Sequence, residues 1–297
     1  MVEYILGNYL VETGKLTQEQ LEKVIGKLDE VRVKMGLLAV SEGMMTVEQA
    51  DEVNRFQAIM DKRFGDIAVE KGYLTEEQIS NLLKKQGNTY LAFAQALVNA
   101  DLIQIQELEE VMDGFQKQNG FTKSEMEDLR SDEPERIVPL FLPPEALIFK
   151  NITGLLIRTL IRCVDRHVYM GKAVLSDEVS VKESAFQRTV GFSKPVNGLK
   201  EIETGLAEAN GGLAVITQVF CKEEAPLEKE DVLDAAGEFL NCVNGLYATS
   251  LSREGVDSEL LPPIYFASDS VIKDAQICSI PIYTGDKKAI FMVWGRK

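Results

Sequence analysis

One histidine, His167, occurs in 297 residues, and the four cysteines include no C-x-x-C pair. A lone histidine cannot complete a two- or three-histidine metal site, and no metal site is expected. Any serine or cysteine nucleophile relay would have to run through His167. Cys163, Cys221, Cys242 and Cys278 are far apart in sequence, which predicts reduced, mostly buried thiols rather than a disulfide framework. Basic residues are scarce: 32 Lys and Arg stand against 47 Asp and Glu, for a formal charge of −15. That balance repels a phosphate backbone and argues against nucleic acid as a partner. Long apolar runs are missing too. The most apolar stretch, Ile137 to Ile161, is broken by Pro143, Pro144, Glu145, Lys150 and Arg158, short of the ~18 residues a membrane helix needs. The start, Met1-Val-Glu-Tyr-Ile-Leu, has no basic n-region, so the expectation is a cytoplasmic chain that does not engage a membrane. Neither a G-x-x-x-x-G-K-[ST] loop nor a G-x-G-x-x-G fingerprint is present.

What is present is enough for two domains of ordinary size, each able to bury a core without staples. The amino-terminal half repeats. Gly7 and Gly14, Gly36 and Gly43, and Gly65 and Gly72 are pairs displaced by 29 residues, each followed by Leu16, Met45 or Leu74 and then by Thr17 to Gln20, Thr46 to Gln49 or Thr75 to Gln78. A fourth copy has Ala94 and Asp101 at the glycine places and keeps Ile103, Glu107, Leu108 and Val111 in register. Each unit reads as two short helices: glycine ends the first, an apolar residue plugs the corner, and threonine with glutamine caps the second. Leu21, Val24, Ile25 and Leu28 then supply an apolar stripe. Residues 1–116 are therefore expected to form an all-α repeat domain.

Arg63-Phe64-Gly65, Ala68, Gly72, Leu74, Ile79, Leu83 and Gln86 resemble the R-L-G-x-x-L-x-x-x-G-x-I-x-x-x-x-L-x-x-x-L-x-x-Q element of the MshEN-type domains of secretion and pilus ATPases. The preceding copy, Lys34-Met35-Gly36 through Gly43, Met45, Ala50, Asn54 and Gln57, is similar, with Lys34 in place of arginine. The resemblance implies binding of cyclic di-GMP through Lys34, Gly36, Gln57, Arg63, Gly65 and Gln86. The residues alone allow another reading, a helical interaction module whose glycines turn corners and whose leucines fill a core.

From Gln116 to Pro144 the composition shifts to Lys-Gln-Asn-Gly, the charged run Ser131 to Arg136, and then Pro139, Pro143 and Pro144. Residues 117–140 are read as a linker, because proline removes amide donors and resists helix. In residues 141–297 the pattern predicts a helix from Glu145 to about Asp165, a strand Leu213–Phe220 entered through Asn210-Gly211-Gly212, and a helix from about Leu227 to Arg253. Strands at Ile264–Ala267, Ile277–Tyr283 and Ala289–Trp294 follow, the last two joined by a turn at Thr284–Lys287. This order indicates an α+β domain with two long helices on a mainly antiparallel sheet.

The second helix carries Asp234, Glu238 and Asn241. At ~100° per residue Asp234 and Asn241 lie about 20° apart, with Glu238 within about 60° of both, so two carboxylates and an amide share a face. Leu233, Leu240, Val243 and Tyr247 fall on the core side. A polar stripe of this kind is also what a solvated helix face presents. The pattern D-x-x-x-E-x-x-N, followed by Pro263 or Pro262, resembles the signature of the CheC, CheX and FliY phosphatases of bacterial chemotaxis. Asn151-Ile-Thr-Gly154 resembles a second copy, but Ile148 stands at its glutamate place, which makes that copy inactive and points to the one-site CheX type.

The resemblance implies hydrolysis of the aspartyl phosphate of a CheY-like response-regulator receiver. Asn241 would orient water, Glu238 would pair with the receiver lysine, and Asp234 would be the third member. It implies no cofactor bound by this chain, Mg²⁺ on the receiver, and a homodimer. A non-catalytic signalling adaptor, binding cyclic di-GMP or a protein through its repeats, is the alternative.

Overall fold

A computed structural model describes residues 1–59, 62–84, 87–268 and 270–296. The chain divides into two compact units, Val2–Asp132 and Glu133–Lys297. Among the described residues no helix is long and apolar enough to cross a membrane.

In the first unit the helices come in pairs: α1 (Val2–Glu12) and α2 (Gln18–Ile25), α3 (Met35–Ser41) and α4 (Val47–Ile59), α5 (Phe64–Glu70) and α6 (Glu76–Lys84), α7 (Thr89–Asn99) and α8 (Ile105–Asn119). A last helix, α9, spans Lys123–Ser131. The corner inside each pair is built the same way. Gly14, Gly43, Gly72 and, in the fourth pair, Asp101 take left-handed φ values of 72°, 64°, 72° and 53°. The amides just beyond reach back to the preceding helix, Leu16 to Leu10, Met45 to Ala39, Leu74 to Ala68 and Leu102 to Leu97. These bonds satisfy carbonyls that a helix end would otherwise leave open. Leu16, Met45, Leu74 and Ile103 are buried behind them. Thr17 with Gln20, Thr46 with Gln49, and Thr75 with Gln78 exchange reciprocal side-chain to backbone bonds of 2.8 and 3.2 Å. Each box satisfies two free amides at the start of the second helix.

The stretch 117–140 contains the end of α8, all of α9, and α10 (Pro134–Ile137), with a capping box between Thr122 and Glu125 opening α9.

In the second unit, 3-10 turns at Val138–Phe141 and Pro144–Phe149 lead into α11 (Lys150–Cys163). The expected helix start at Glu145 is thus a 3-10 turn, which accommodates Pro144 at its first position before the α geometry begins. Then come β1 (Tyr169–Met170), β2 (Val174–Val181), β3 (Ser184–Val190), β4 (Glu201–Asn210), α12 (Gly212–Cys221), α13 (Lys229–Arg253), β5 (Glu259–Leu260), β6 (Ile264–Phe266), β7 (Ser270–Thr284) and β8 (Lys287–Arg296). Among the described residues, eight strands form one antiparallel sheet in the order β1-β7-β8-β4-β3-β5, with β2 also on β7 and β6 also on β3.

The expected strand Leu213–Phe220 is wrong: those residues form α12. Asn210 and Gly211 do make a turn, with Gly211 at φ 72°, but the carboxylate of Glu208 accepts from the amides of Gly211 and Leu213 and starts a helix there. Leu213, Ile216 and Thr217 are buried at helical spacing, and Phe220 meets Phe239 of α13 edge-on at 5.3 Å. Packing on the sheet and on α13 has overridden the strand preference of a β-branched run. The expectation of mostly buried thiols also needs correction. Cys278 is buried and Cys163 half-buried, but Cys221 and Cys242 are exposed, because α12 ends at the surface and Cys242 lies on the outer side of α13.

Two cores flank the sheet. On one side, Leu233, Ala236, Leu240, Val243, Tyr247 and Leu251 of α13 are buried at i, i+3, i+4 and i+7 spacing. On the other, Phe186, Met292, Trp294, Ile277 and Val181 cluster, with Phe186 edge-on to Trp294 at 5.9 Å and to Phe266 at 5.6 Å. Phe186 lies across β4 at Gly205, where a Cβ would come within 2.2 Å of its ring. A side chain there would displace a buried phenylalanine, so the second core requires that glycine.

Candidate functional site

With the inner face of α13 committed to the core, the outer face is left to polar residues. Asp234, Glu238 and Asn241 are all exposed, one turn apart along that face, while Leu233, Leu240, Val243 and Tyr247 are buried as expected. Tyr265 of β6 leans against the same face at Gly237. Its phenol is held above the ordinary range by burial first and then by the negative charges of Asp234 and Glu238. Cys242 sits next to Asn241, and its thiol is pushed up by burial, by Glu238 and by Cys163. A thiol so shifted is a weak nucleophile near neutral pH.

Asn241 continues inward as a chain of amides. Gln187 Nε2 on β3 donates to Asn241 Oδ1 at 2.9 Å and to the carbonyl of Leu261 at 3.0 Å. Asn244 Nδ2 donates to Gln187 Oε1 and to Thr204 Oγ1, both at 2.8 Å. Gln187 and Thr204 are direct cross-strand partners on β3 and β4, and Asn244 lies one turn after Asn241. Gln187, Asn244 and Thr204 are at most 2% exposed. Buried amides are costly unless paired, and these are paired to one another. Sequence reasoning did not single out Gln187, Asn244 or Tyr265. The first two look like ordinary members of a strand and a helix, and Tyr265 like one residue of an apolar strand.

The Asn151 segment lies elsewhere on the unit. Asn151 is exposed in the first turn of α11, and Ile148 precedes that helix in the 3-10 turn, where its carbonyl accepts from Asn197 Nδ2 at 3.2 Å. Among the described residues no three His, Cys, Asp or Glu side chains are grouped as metal ligands.

In the first unit, Lys34, Gly36, Gln57, Arg63 and Gly65 line one open groove of about 790 Å³, together with Arg32 and Asp66. Lys34 and Arg63 occupy the same place in their repeats, at the residue preceding α3 and α5, with φ of −76° and −74°. Gln57 Nε2 donates to the Lys62 carbonyl at 3.4 Å. Gln86 lies outside the described residues. Three cations, Arg32, Lys34 and Arg63, and one carboxylate, Asp66, thus share that groove.

No protein-family model matches the chain, and no curated protein matches it. Solved structures similar to it do exist. The chemotaxis protein CheX from Desulfovibrio desulfuricans is 15% identical, with a TM-score of 0.41 over 50% of this chain and 99% of that one. The CheX–CheY–BeF3–Mg²⁺ complex from Borrelia burgdorferi contains a chain that is 16% identical, with a TM-score of 0.41 over 50% of this chain and 98% of that one. FliY from Thermotoga maritima is 16% identical, with a TM-score of 0.33 over 51% of this chain and 89% of that one. The chain is thus similar to CheX- and FliY-type chemotaxis proteins over about half its length.

Proposed function

We propose that the carboxy-terminal unit is a phosphatase acting on the aspartyl phosphate of a CheY-like receiver domain. The observation that carries this reading is the exposure of Asp234, Glu238 and Asn241 on one face of α13, in the D-x-x-x-E-x-x-N spacing, while the opposite face is buried. A rigid helix anchored by its core side can hold an amide and a carboxylate at fixed separation against a flat partner. Phosphoryl transfer needs little more from the protein than that positioning.

In the reaction, water attacks phosphorus in line, the bond between phosphorus and the receiver carboxylate oxygen breaks, and inorganic phosphate and the free aspartate result. Mg²⁺ on the receiver offsets the phosphoryl charge. Asn241 holds the attacking water, Glu238 pairs with the receiver lysine, and Asp234 extends the acidic edge of the contact. The test is the decay of a CheY-type receiver phosphorylated with acetyl phosphate. The full chain should accelerate it, and Asn241→Ala should lower that acceleration on the order of a hundredfold. Equal rates with and without the chain would overturn the reading.

The groove of the first unit favours a second reading for that part of the chain, a site for cyclic di-GMP or a similar anionic nucleotide. Calorimetry of the full chain with cyclic di-GMP should show saturable heat that Arg63→Ala removes. No heat at high micromolar ligand would leave that unit as a protein-interaction module.

A further inference from the structure

We propose that Gln187 is a positioning residue that determines which end of the Asn241 amide faces the partner, a step that rests on the phosphatase reading only for its effect on rate. The argument begins at Leu261. A backbone carbonyl can only accept, so the Gln187 atom 3.0 Å from it must be the nitrogen. The second hydrogen of that nitrogen goes to the Asn241 side chain at 2.9 Å, which makes the inward Asn241 atom its oxygen. The opposite end of Gln187 agrees, since its oxygen accepts from Asn244 Nδ2 at 2.8 Å and Asn244 gives its other hydrogen to Thr204 Oγ1 at 2.8 Å. Turning Gln187 over would set two oxygens against each other at Leu261 and two amide nitrogens against each other at Asn244. A buried network of this kind has one orientation that satisfies every member.

Leu261 is itself held. Its amide donates to the Arg188 carbonyl at 3.0 Å, and it precedes Pro262, which restricts it to extended backbone. Pro262, one of the two prolines that stand near the signature's proline place, thereby restricts the residue whose carbonyl sets Gln187, and Gln187 sets Asn241. Asn241 is exposed, and with its oxygen engaged by Gln187 its NH₂ is the end offered to the partner. It meets the attacking water as a donor, so the water's own hydrogens are left to the phosphoryl oxygens.

The experiment combines phosphorylated-receiver decay, using the acetyl-phosphate-labelled CheY-type receiver, with side-chain amide NMR of the full chain. The expected results are as follows: Asn241→Asp, which keeps the acceptor and removes the donor, is as inactive as Asn241→Ala, and Gln187→Met lowers kcat ten- to a hundredfold with KM unchanged. In the Asn241→Ala background Gln187→Met produces no further loss. In the NMR spectrum the Asn241 NH₂ pair, identified by its disappearance in Asn241→Asp, is ordered in wild type and becomes mobile in Gln187→Met. Should that variant not fold, Gln187→Leu, whose side chain likewise neither donates nor accepts, replaces it with the same expectations. A folded Gln187 variant with unchanged kcat, or one that loses as much rate in the Asn241→Ala background, overturns the proposal. If Asn241→Ala leaves the rate intact, the phosphatase reading falls, and the NMR alone decides: an amide mobile in wild type, or still ordered in the Gln187 variant, overturns the positioning role.

Discussion

Gly237 lies under the ring of Tyr265, so that a Cβ added there would come within 2.6 Å of the tyrosine Cε1 and Oη. The glycine sits in the middle of a 25-residue helix, where it costs roughly 0.5–1 kcal/mol relative to alanine. Its place between Asp234 and Glu238 ties that cost to the seating of Tyr265 on the outer face of α13. Gly237→Ala in the wild-type background should leave the thermal midpoint nearly unchanged, because the helix gain is offset by displacing the ring. In a Tyr265→Ala background the same substitution should raise the midpoint by the equivalent of about 0.5–1 kcal/mol. A double-mutant cycle followed by circular dichroism reads the coupling, and additive effects would contradict the contact.

Alkaline pH offers a separate handle on the α13 core. Burial pushes the Tyr247 phenol up to about 12 from the usual 10.0, and the Cys278 thiol up to about 12 from 9.0. In both cases the folded chain favours the neutral form, so the unfolded chain loses its protons first. The stabilisation is present below about pH 9 and is lost as pH rises toward 12. For a nearly buried phenol the loss is on the order of 3 kcal/mol. Tyr247→Phe should flatten the fall in urea midpoint between pH 9.5 and 11.5, and Cys278→Ala should flatten its onset near pH 9. A Tyr247→Phe profile parallel to wild type would rule out the phenol as a contributor.

The 29-residue period predicts unequal consequences at equivalent corners. Gly72 and Asp101 hold the same left-handed position, at φ 72° and 53°. An L-residue with a Cβ is penalised there by about 1–2 kcal/mol, and Asp less so because its short side chain tolerates αL. Gly72→Ala should therefore destabilise the first unit by about 1 kcal/mol. Asp101→Gly should stabilise it by less than that, since glycine also gains freedom in the unfolded chain. Thermal denaturation of the two variants measures both signs, and a stabilising Gly72→Ala would contradict the corner geometry.

The corners were legible because each depends on residues close together in sequence: a glycine or its substitute, an apolar plug, and a cap three residues apart. Asp234, Glu238 and Asn241 were legible for the same reason, since helical spacing alone brings them to one face. Gln187 was not, because it meets Asn241 across 54 residues and nothing in Ser184-Ala-Phe-Gln-Arg-Thr-Val190 marks its fourth residue. The region of α12 was misread because Asn210-Gly211 signals a turn equally well before a strand or a helix. The deciding group was Glu208, whose carboxylate caps the helix. Long-range amide pairing and a cap two residues before the turn both depend on the folded sheet.

The two asparagines of α13 should separate stability from activity. Asn244 is wholly buried and bonds both Gln187 and Thr204, so Asn244→Ala leaves the oxygen of Gln187 and the hydroxyl of Thr204 without that donor. Each buried group so orphaned costs roughly 1–3 kcal/mol, and the denaturation midpoint should fall accordingly. Asn241 is exposed, and when it is replaced by alanine Gln187 Nε2 keeps its bond to the Leu261 carbonyl. Alanine's better helix propensity also offsets part of the lost bond, so Asn241→Ala should stay within about 1 kcal/mol of wild type. The decay of the phosphorylated receiver should show the reverse order at a temperature where both variants are folded: Asn241→Ala inactive, Asn244→Ala impaired only as far as the Gln187 amide is loosened. If Asn241→Ala unfolds the domain as readily as Asn244→Ala, its amide is a structural bond like the others, and its loss of activity would carry no information about the reaction.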